Sequence, residues 1–230
     1  METSPLKINK RLSLGFSLLE ILIAVALLGL TIGLVVGPNT GEREKLEIAI
    51  EDISRALRFC RSEAVIRNKI VRLKLLVNDE KIEYTVEFSD NANLLLPEYV
   101  DEDKLDRKEK EKLESSKATR EKGFIPIEEF QDEVREINPD IKLSGVSTTL
   151  SRDLIVSGEA SVYFYPTGHQ DEALIVLSTI EEIVSLEVEA FRDRIYENFI
   201  PIGEILPEQY ENTLYEKTKD IYEKWKKSRD

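Results

Sequence analysis

Residues 15–36 form an almost uninterrupted apolar run, which limits the possible fold more than any other part of the chain. From Phe16 onward the run has one charge, Glu20, and three basic residues lie in the leader that precedes it. As a helix, the part from Phe16 to Val36 would be about 31 Å long, close to the roughly 30 Å hydrocarbon thickness of a bilayer. The sequence therefore predicts a membrane-spanning helix with its basic N-terminal flank in the cytoplasm.

Two ordinary explanations leave part of this run unexplained. A secretory signal peptide has a shorter apolar region followed by a small-residue cleavage site, whereas here Gly15 precedes the apolar region. A simple membrane anchor accounts for the length and the basic flank but not for Glu20. A charged residue at the centre of a membrane helix costs about 2.5 to 3.5 kcal/mol on translocon scales, and less near an end. Glu20 is therefore expected to have a function and a partner.

The start of the run reads Gly15-Phe16-Ser17-Leu18-Leu19-Glu20 after a short basic leader. This sequence resembles the class III signal of type IV pilins and type II secretion pseudopilins. The resemblance implies that a prepilin peptidase cuts between Gly15 and Phe16 and methylates the new amino group of Phe16. It also implies that Glu20 pairs with the N-terminal amine of a neighbouring subunit. One helical turn separates Phe16 from Glu20, so an axially displaced subunit would bring the two charges together in low dielectric.

The chain is strongly acidic, with a formal net charge of −13. Removal of residues 1–15 takes away three basic residues and one acidic residue, which leaves −15. Such a surface repels nucleic acid, which is therefore not expected as a partner. Cys60 is the single cysteine, so an internal disulfide is excluded, and we expect it to be a small buried side chain.

Residues 42–68 have the spacing of an amphipathic helix. Acidic residues interleave with the arginines, which favours a solvated flank over a nucleic-acid surface. The residues predicted to be buried are Leu46, Ala49, Ile50, Ile53, Ala56, Leu57, Cys60 and Ala64.

Residues 56–73 resemble one group within this family more than the others. They look like the helix end and first strand of the minor pseudopilin H and FimT-type minor pilin group. Members of that group share an Ala-Arg-Ser-Glu-Ala-like stretch followed by basic residues and asparagine. Here the stretch begins with Cys60, where alanine is usual. This second resemblance covers about residues 46–77 and implies structural rather than catalytic roles.

Alternating apolar residues at 71–77 and 82–88, around Asn78-Asp79, predict a β-hairpin packed on the helix. Further short strands are expected at 141–143, 154–156, 161–165, 173–177 and 183–191. Residues 101–122 are different, since 16 of the 22 are charged. They cannot form a core and are either a solvated helix or a disordered insertion. Their acidic residues lack the ligand spacing and turn glycine of a calcium-binding loop.

The strand and turn at residues 163–168 resemble the aromatic-Pro-x-Gly turn of pseudopilin H and FimT-type domains, with Pro166 and Gly168 setting the turn. His169 and Asp171 follow and are candidates for acid–base chemistry in a membrane-tethered periplasmic enzyme. The chain has one histidine and no nucleophile-elbow sequence, so this interpretation is not favoured. We expect no enzymatic activity, catalytic residue, metal or cofactor.

The C-terminal region begins with a linker bracketed by Pro201 and Pro207. Tyr210, Leu214, Ile221 and Trp225 then fall on one face of a charged helix. The favoured interpretation is a helix that packs on its own domain. The alternative is a docking helix for a neighbouring subunit, with Trp225 as its anchor.

Together these patterns predict an α+β, pilin-like fold, in which a long N-terminal transmembrane and amphipathic helix packs on an antiparallel β-sheet domain. The expected segments are a leader peptide at 1–15, a transmembrane helix at 16–37, an amphipathic helix at 38–69, a periplasmic β domain at 70–197 with a charged insertion at about 98–123, and a C-terminal extension with a helix at 198–230.

The resemblance implies a minor pseudopilin of a type II secretion system, held in the inner membrane by a single pass with its N-terminus in the cytoplasm. Its expected partners are other pseudopilins or pilins, the prepilin peptidase, the inner-membrane assembly platform and the membrane itself. The alternative is a FimT-like minor type IV pilin that serves pilus assembly, adhesion or DNA uptake. The acidic mature chain argues against the DNA-binding role.

Overall fold

In the computed structural model, the chain divides into two units, Met1–Asn39 and Thr40–Asp230. The described residues are 18–35, 41–77, 82–89, 106–121, 123–128, 135–151, 153–192, 194–203 and 206–229. Their helices are α1 Leu18–Val35, α2 Glu42–Arg67, α3 Arg107–Glu121 and α4 Tyr210–Lys227. Their strands are β1 Val71–Val77, β2 Glu83–Ser89, β3 Phe124–Pro126, β4 Arg135–Glu136, β5 Lys142–Thr148, β6 Gly158–Phe164, β7 Ala173–Ser178, β8 Glu182–Val188 and β9 Ile195–Pro201.

The first unit contains α1, which covers most of the segment 16–37 predicted to span the membrane. Glu20 lies in its first turn, and the side chains of residues 18–28 are exposed. With 18 residues the helix is about 27 Å long. In the part of the chain that the structure describes, no helix has the length and apolarity required to cross a membrane.

Helix α2 begins the second unit and carries its largest apolar stripe. All eight positions predicted for this stripe are buried, and Ser54 is buried with them. The helix ends at Asn68, which has a left-handed backbone (φ 53°) and donates its N–H to the carbonyl groups of Ala64 and Val65. Asparagine tolerates this conformation better than most residues, which explains why the helix stops here.

Sheet A consists of β3, β2, β1 and β6 in that order, and β4 also pairs with β2. The predicted hairpin is confirmed, since β1 and β2 are antiparallel from Val71 opposite Phe88 to Leu76 opposite Glu83. Strand β6 pairs with the other edge of β1. The alternate residues of β1 from Val71 to Val77 are buried in the same core as the α2 stripe.

Sheet B is an antiparallel sheet with the order β5, β7, β8, β9. In β7, alternate residues such as Ile175 lie in the same core as the buried stripe of α2. The residues between them, Leu174 and Val176, face the other way and pack with Leu214 and Trp225 of α4. Both faces of β7 are therefore covered, and all six of its residues are buried. This explains why its sequence is a continuous apolar run rather than an alternating one.

Helix α3 forms within the charged insertion. Its start has a capping box: the Asp106 carboxylate accepts a hydrogen bond from the Glu109 N–H (2.8 Å), and the Glu109 carboxylate accepts one from the Asp106 N–H (2.9 Å). Most of its described side chains are exposed. Of the two interpretations left open by the sequence, the solvated helix is the one that the structure describes.

The α+β class with antiparallel sheets is confirmed, but individual strands differ from the prediction. The sequence predicted no strand after residue 191, whereas β9 pairs along the whole of β8 and crosses the expected segment boundary at 198. In the segment 154–156 the structure has one bridging residue, Ile155, paired with Val146. Helix α4 packs on its own domain, as favoured, through Leu214, Ile221 and Trp225 among others.

The face of sheet A opposite α2 holds a buried ion pair. Arg72 and Glu87 are opposite each other on β1 and β2, and the Arg72 Nε donates to the Glu87 carboxylate at 2.7 Å. Arg72 is 1 % exposed, and its guanidinium lies 3.9 Å from the centre of the Phe124 ring. A charge buried this deeply is stable only when an opposite charge and hydrogen bonds compensate for the water that it has lost.

We predict that Glu87→Ala lowers the free energy of unfolding by about 3 to 5 kcal/mol, because it removes the carboxylate that faces the buried Arg72 charge. Urea unfolding followed by circular dichroism measures this. The control is Glu51→Ala, which removes one acidic partner of the exposed Arg55 and is expected to cost at most about 1 kcal/mol. Equal effects of the two substitutions would show that the buried pair has no special role.

Candidate functional site

The residues that the sequence singled out for processing and assembly lie at the N-terminus. Glu20 is in α1, and the neighbouring Leu19 and Ile21 are exposed. Gly15 and Phe16, the predicted cleavage site, lie outside the described residues. The structure thus places Glu20 on an apolar helix surface.

The predicted aromatic-Pro-x-Gly turn is confirmed at residues 165–169. The Tyr165 N–H donates to the His169 carbonyl, and the Gly168 N–H donates to the Tyr165 carbonyl, both at 2.9 Å. Gly168 has φ +84°, a conformation in which a side chain is strained. Phe164 and Gln170 bridge just beyond the turn, so these residues form a tight reversal after β6.

Asp171 is held by the strand that precedes the turn. Its carboxylate accepts hydrogen bonds from the Tyr165 hydroxyl at 2.8 Å and from the Tyr163 N–H at 3.2 Å, and the residue is 6 % exposed. Burial raises the pKa of Asp171 to about 6, although the two hydrogen bonds oppose the shift. Burial, reinforced by the nearby Asp171 charge, also raises the pKa of Tyr165. Asp171 is therefore joined to both Tyr163 and Tyr165.

His169 makes different contacts. Its ring stacks between those of Tyr165 (centroids 4.6 Å apart) and Phe191 (5.3 Å), and its Nδ1 is hydrogen-bonded to the Thr167 hydroxyl at 2.8 Å. No described hydrogen bond joins His169 to Asp171. The two residues are near each other in sequence but do not form an acid–base pair.

Neither a reactive thiol nor a cluster of metal ligands is found among the described residues. Cys60 is fully buried in the α2 stripe, and burial raises the pKa of its thiol well above the usual value. A thiol in this environment is a poor nucleophile. Among the residues that the structure describes, no three histidine, cysteine or acidic side chains come together as metal ligands.

A groove of about 310 Å³ lies between α2 and the start of β9, and the sequence did not predict it. Its buried Ser54 hydroxyl has no hydrogen-bond partner in the described structure. Residues of β9 form one wall, so this groove could not be predicted without that strand. Its lining residues are Glu47, Ile50, Glu51, Ser54, Arg58, Arg194, Ile195 and Glu197.

Comparisons with models of known protein families, with curated proteins and with solved structures find no match for this chain.

We predict that Asp171 makes stability depend on pH. Its usual pKa is about 3.9, so between about pH 4 and about pH 6 the folded state keeps a proton that the unfolded state has lost. The free energy of unfolding therefore falls as the pH rises through this window, by about 3 kcal/mol at most, and then levels off. Asp171→Asn removes this fall, as measured by urea unfolding from about pH 4 to about pH 7.

The control for this prediction is Asp153→Asn, which replaces an exposed carboxylate in the loop between β5 and β6. It is expected to leave the pH profile of the wild type unchanged. Identical profiles for Asp171→Asn and the wild type would contradict the assignment of a raised pKa to the buried carboxylate.

Proposed function

We propose that this chain is a minor pseudopilin subunit of a type II secretion system. In this proposal a prepilin peptidase cleaves between Gly15 and Phe16 and methylates Phe16, and the mature subunit enters a pseudopilus that supports protein secretion. The observation that carries the proposal is the exposed apolar surface of α1 with the single carboxylate of Glu20 at its start.

The exposed apolar surface of α1 is expected to contact lipid or other protein chains. Leu18, Leu22, Val25 and Leu28 are each more than three-fifths exposed. A continuous apolar surface of this kind is unfavourable in water and marks a contact with lipid or with other proteins. The inner membrane would cover it before assembly, and the equivalent helices of other subunits would cover it in the filament.

Within this apolar surface, Glu20 would form a specific charge pair with a neighbouring subunit. A carboxylate transferred out of water is costly unless it is paired. The amine created by cleavage at Gly15 would lie four positions before Glu20, one helical turn away along the axis. A neighbouring subunit offset by about one turn would place its amine beside Glu20, and the pair would fix the axial register between subunits.

The second unit fits a role in assembly better than a role in catalysis. Its candidate acid–base residues, His169 and Asp171, are each engaged in other contacts within the turn. Its thiol, Cys60, is buried. The partners in this proposal are other pseudopilins, the prepilin peptidase and the inner-membrane assembly platform, with the second unit in the periplasm.

We predict that Glu20→Ala leaves membrane insertion and cleavage intact but reduces incorporation into filaments by about ten-fold or more. The expected size follows from the coupling of close charge pairs at interfaces, which is about 1.5 kcal/mol or greater. The measurement is the fraction of the protein recovered in sheared filaments from cells that overproduce the other subunits.

The matched control is Leu22→Ala, which removes apolar area from the same helix and leaves the carboxylate in place. We expect a smaller loss of incorporation than for Glu20→Ala. Normal incorporation of the Glu20→Ala protein would contradict the proposed charge pair.

A further inference from the structure

The groove between α2 and β9 lies beside the free edge of sheet B. Strand β9 is the last strand in the order β5, β7, β8, β9, and its described strand pairing is with β8 alone. An edge strand presents a row of unpaired backbone N–H and C=O groups, to which an extended peptide can add as a further strand. The groove is therefore next to a surface that can accept an extended chain.

Along the groove, α2 and β9 run in opposite directions. The Arg43 guanidinium, in the first turn of α2, lies 4.3 Å from the centre of the Phe199 ring, near the end of β9. Beyond this contact, the groove is lined on the helix as far as Arg58 and on the other wall by the start of β9, with Arg194 just before it. Arg58 and Arg194 therefore lie at the same end of the groove, away from Arg43.

The two ends of the groove carry opposite charges. The end nearer the start of α2 is lined by three glutamates and the other end by two arginines, namely Glu47, Glu51 and Glu197, and Arg58 and Arg194. Along the axis of α2, Glu51 and Arg58 are about 10 Å apart. A ligand that complements the groove therefore carries a positive group and a negative group at a similar spacing.

At the acidic end, one of the three carboxylates is available to a ligand. Glu47 and Glu51 are paired with other residues of α2, Arg43 at 3.2 Å and Arg55 at 3.0 Å. Glu197 is exposed, and its side chain has no described hydrogen bond or ion pair. Its partner on β8 lies in the core that α2 covers, so Glu197 is on the α2 side of the sheet. Glu197 is therefore the group placed to hold a cation.

At the basic end, the guanidinium groups have no described ion pair. Arg58 is exposed, and the only described contact of the Arg194 guanidinium is the Tyr196 ring, whose centre is 5.3 Å away. One helical turn before Arg58 is Ser54, which is 4 % exposed and whose hydroxyl has no hydrogen-bond partner in the described structure. A buried hydroxyl without a partner is unfavourable, and a polar group bound in the groove would satisfy it.

We propose that the groove binds an extended peptide segment of a partner protein, with a basic and an acidic side chain on one face of the segment. The segment adds to the free edge of β9 as an antiparallel strand, since antiparallel pairing is the more stable kind. Its basic residue contacts Glu197, its acidic residue follows and contacts Arg58 and Arg194, and Ser54 donates to a polar atom between them. The inference goes beyond the proposed function and does not depend on processing of the N-terminus.

An extended peptide can supply the two charges at the required spacing. Residues two or four positions apart in a strand lie on the same face, about 7 Å and about 13 Å apart. The spacing of the charges in the groove falls between these values, and the long side chains of lysine and glutamate cover the difference. In this mode of binding the backbone hydrogen bonds supply affinity and the side chains supply specificity.

The test uses the full-length chain, purified in detergent, and measures the binding of labelled peptides by fluorescence anisotropy. The probe is the blocked peptide Thr-Lys-Thr-Ser-Thr-Glu-Thr, in which threonine favours an extended backbone. We expect it to bind at least about ten-fold more tightly than the same peptide with glutamine at both charged positions. It should also bind more tightly than Thr-Glu-Thr-Ser-Thr-Lys-Thr, which matches the charges only as a parallel strand.

Two further measurements separate this binding mode from a general attraction of charges. The double variant Arg58→Glu with Glu197→Arg exchanges the unpaired charges at the two ends, so it should prefer the peptide with glutamate first. Methylation of alternate peptide nitrogens removes the donors along one edge of the bound strand. Methylation of one alternate set should therefore abolish binding, and methylation of the other set should leave it unchanged.

The controls are Glu216→Arg and Lys219→Glu, which reverse exposed charges of α4, on the face of sheet B opposite α2. They should bind the probe like the wild type, and circular dichroism should show that all variants are folded. The proposal is overturned if the probe does not bind, if the glutamine peptide binds equally well, if the double variant keeps the preference of the wild type, or if the two methylated peptides behave alike.

Discussion

The packing of α2 on two sheets is the interaction on which the rest of the second unit depends. Its buried stripe, from Leu46 to Ala64, lies in one core with alternate residues of β1 in sheet A and of β7 and β8 in sheet B. Each sheet covers its other face by different means. Sheet A buries the Arg72–Glu87 pair beneath Phe124, and sheet B packs against α4. Helix α2 thus joins the two sheets in one core.

Elements with a strong local pattern could be predicted from the sequence. The α2 stripe follows the helical period throughout, and the hairpin of β1 and β2 alternates cleanly, so both were placed correctly. Strand β9 was missed because it lies at the edge of sheet B with half-exposed side chains and ends in Pro201, which the sequence suggested was part of a linker. The groove beside β9 was missed for the same reason.

The contacts of single side chains were harder to predict than the elements that carry them. His169 and Asp171 are two positions apart, yet their partners are Thr167 and Phe191 for the first and Tyr163 and Tyr165 for the second. Tertiary packing of the turn decides these contacts, and sequence spacing does not reveal them. In contrast, the apolar character of α1 and the isolated charge of Glu20 are properties of the sequence itself.

We propose that the N-terminus is processed as a pilin-type signal. Its most direct test is the intact mass of the membrane-extracted protein from cells with and without a prepilin peptidase. We expect a peptidase-dependent species that begins at a methylated Phe16. An uncut chain in both strains would contradict it, and residues 15–36 would then be an ordinary membrane anchor.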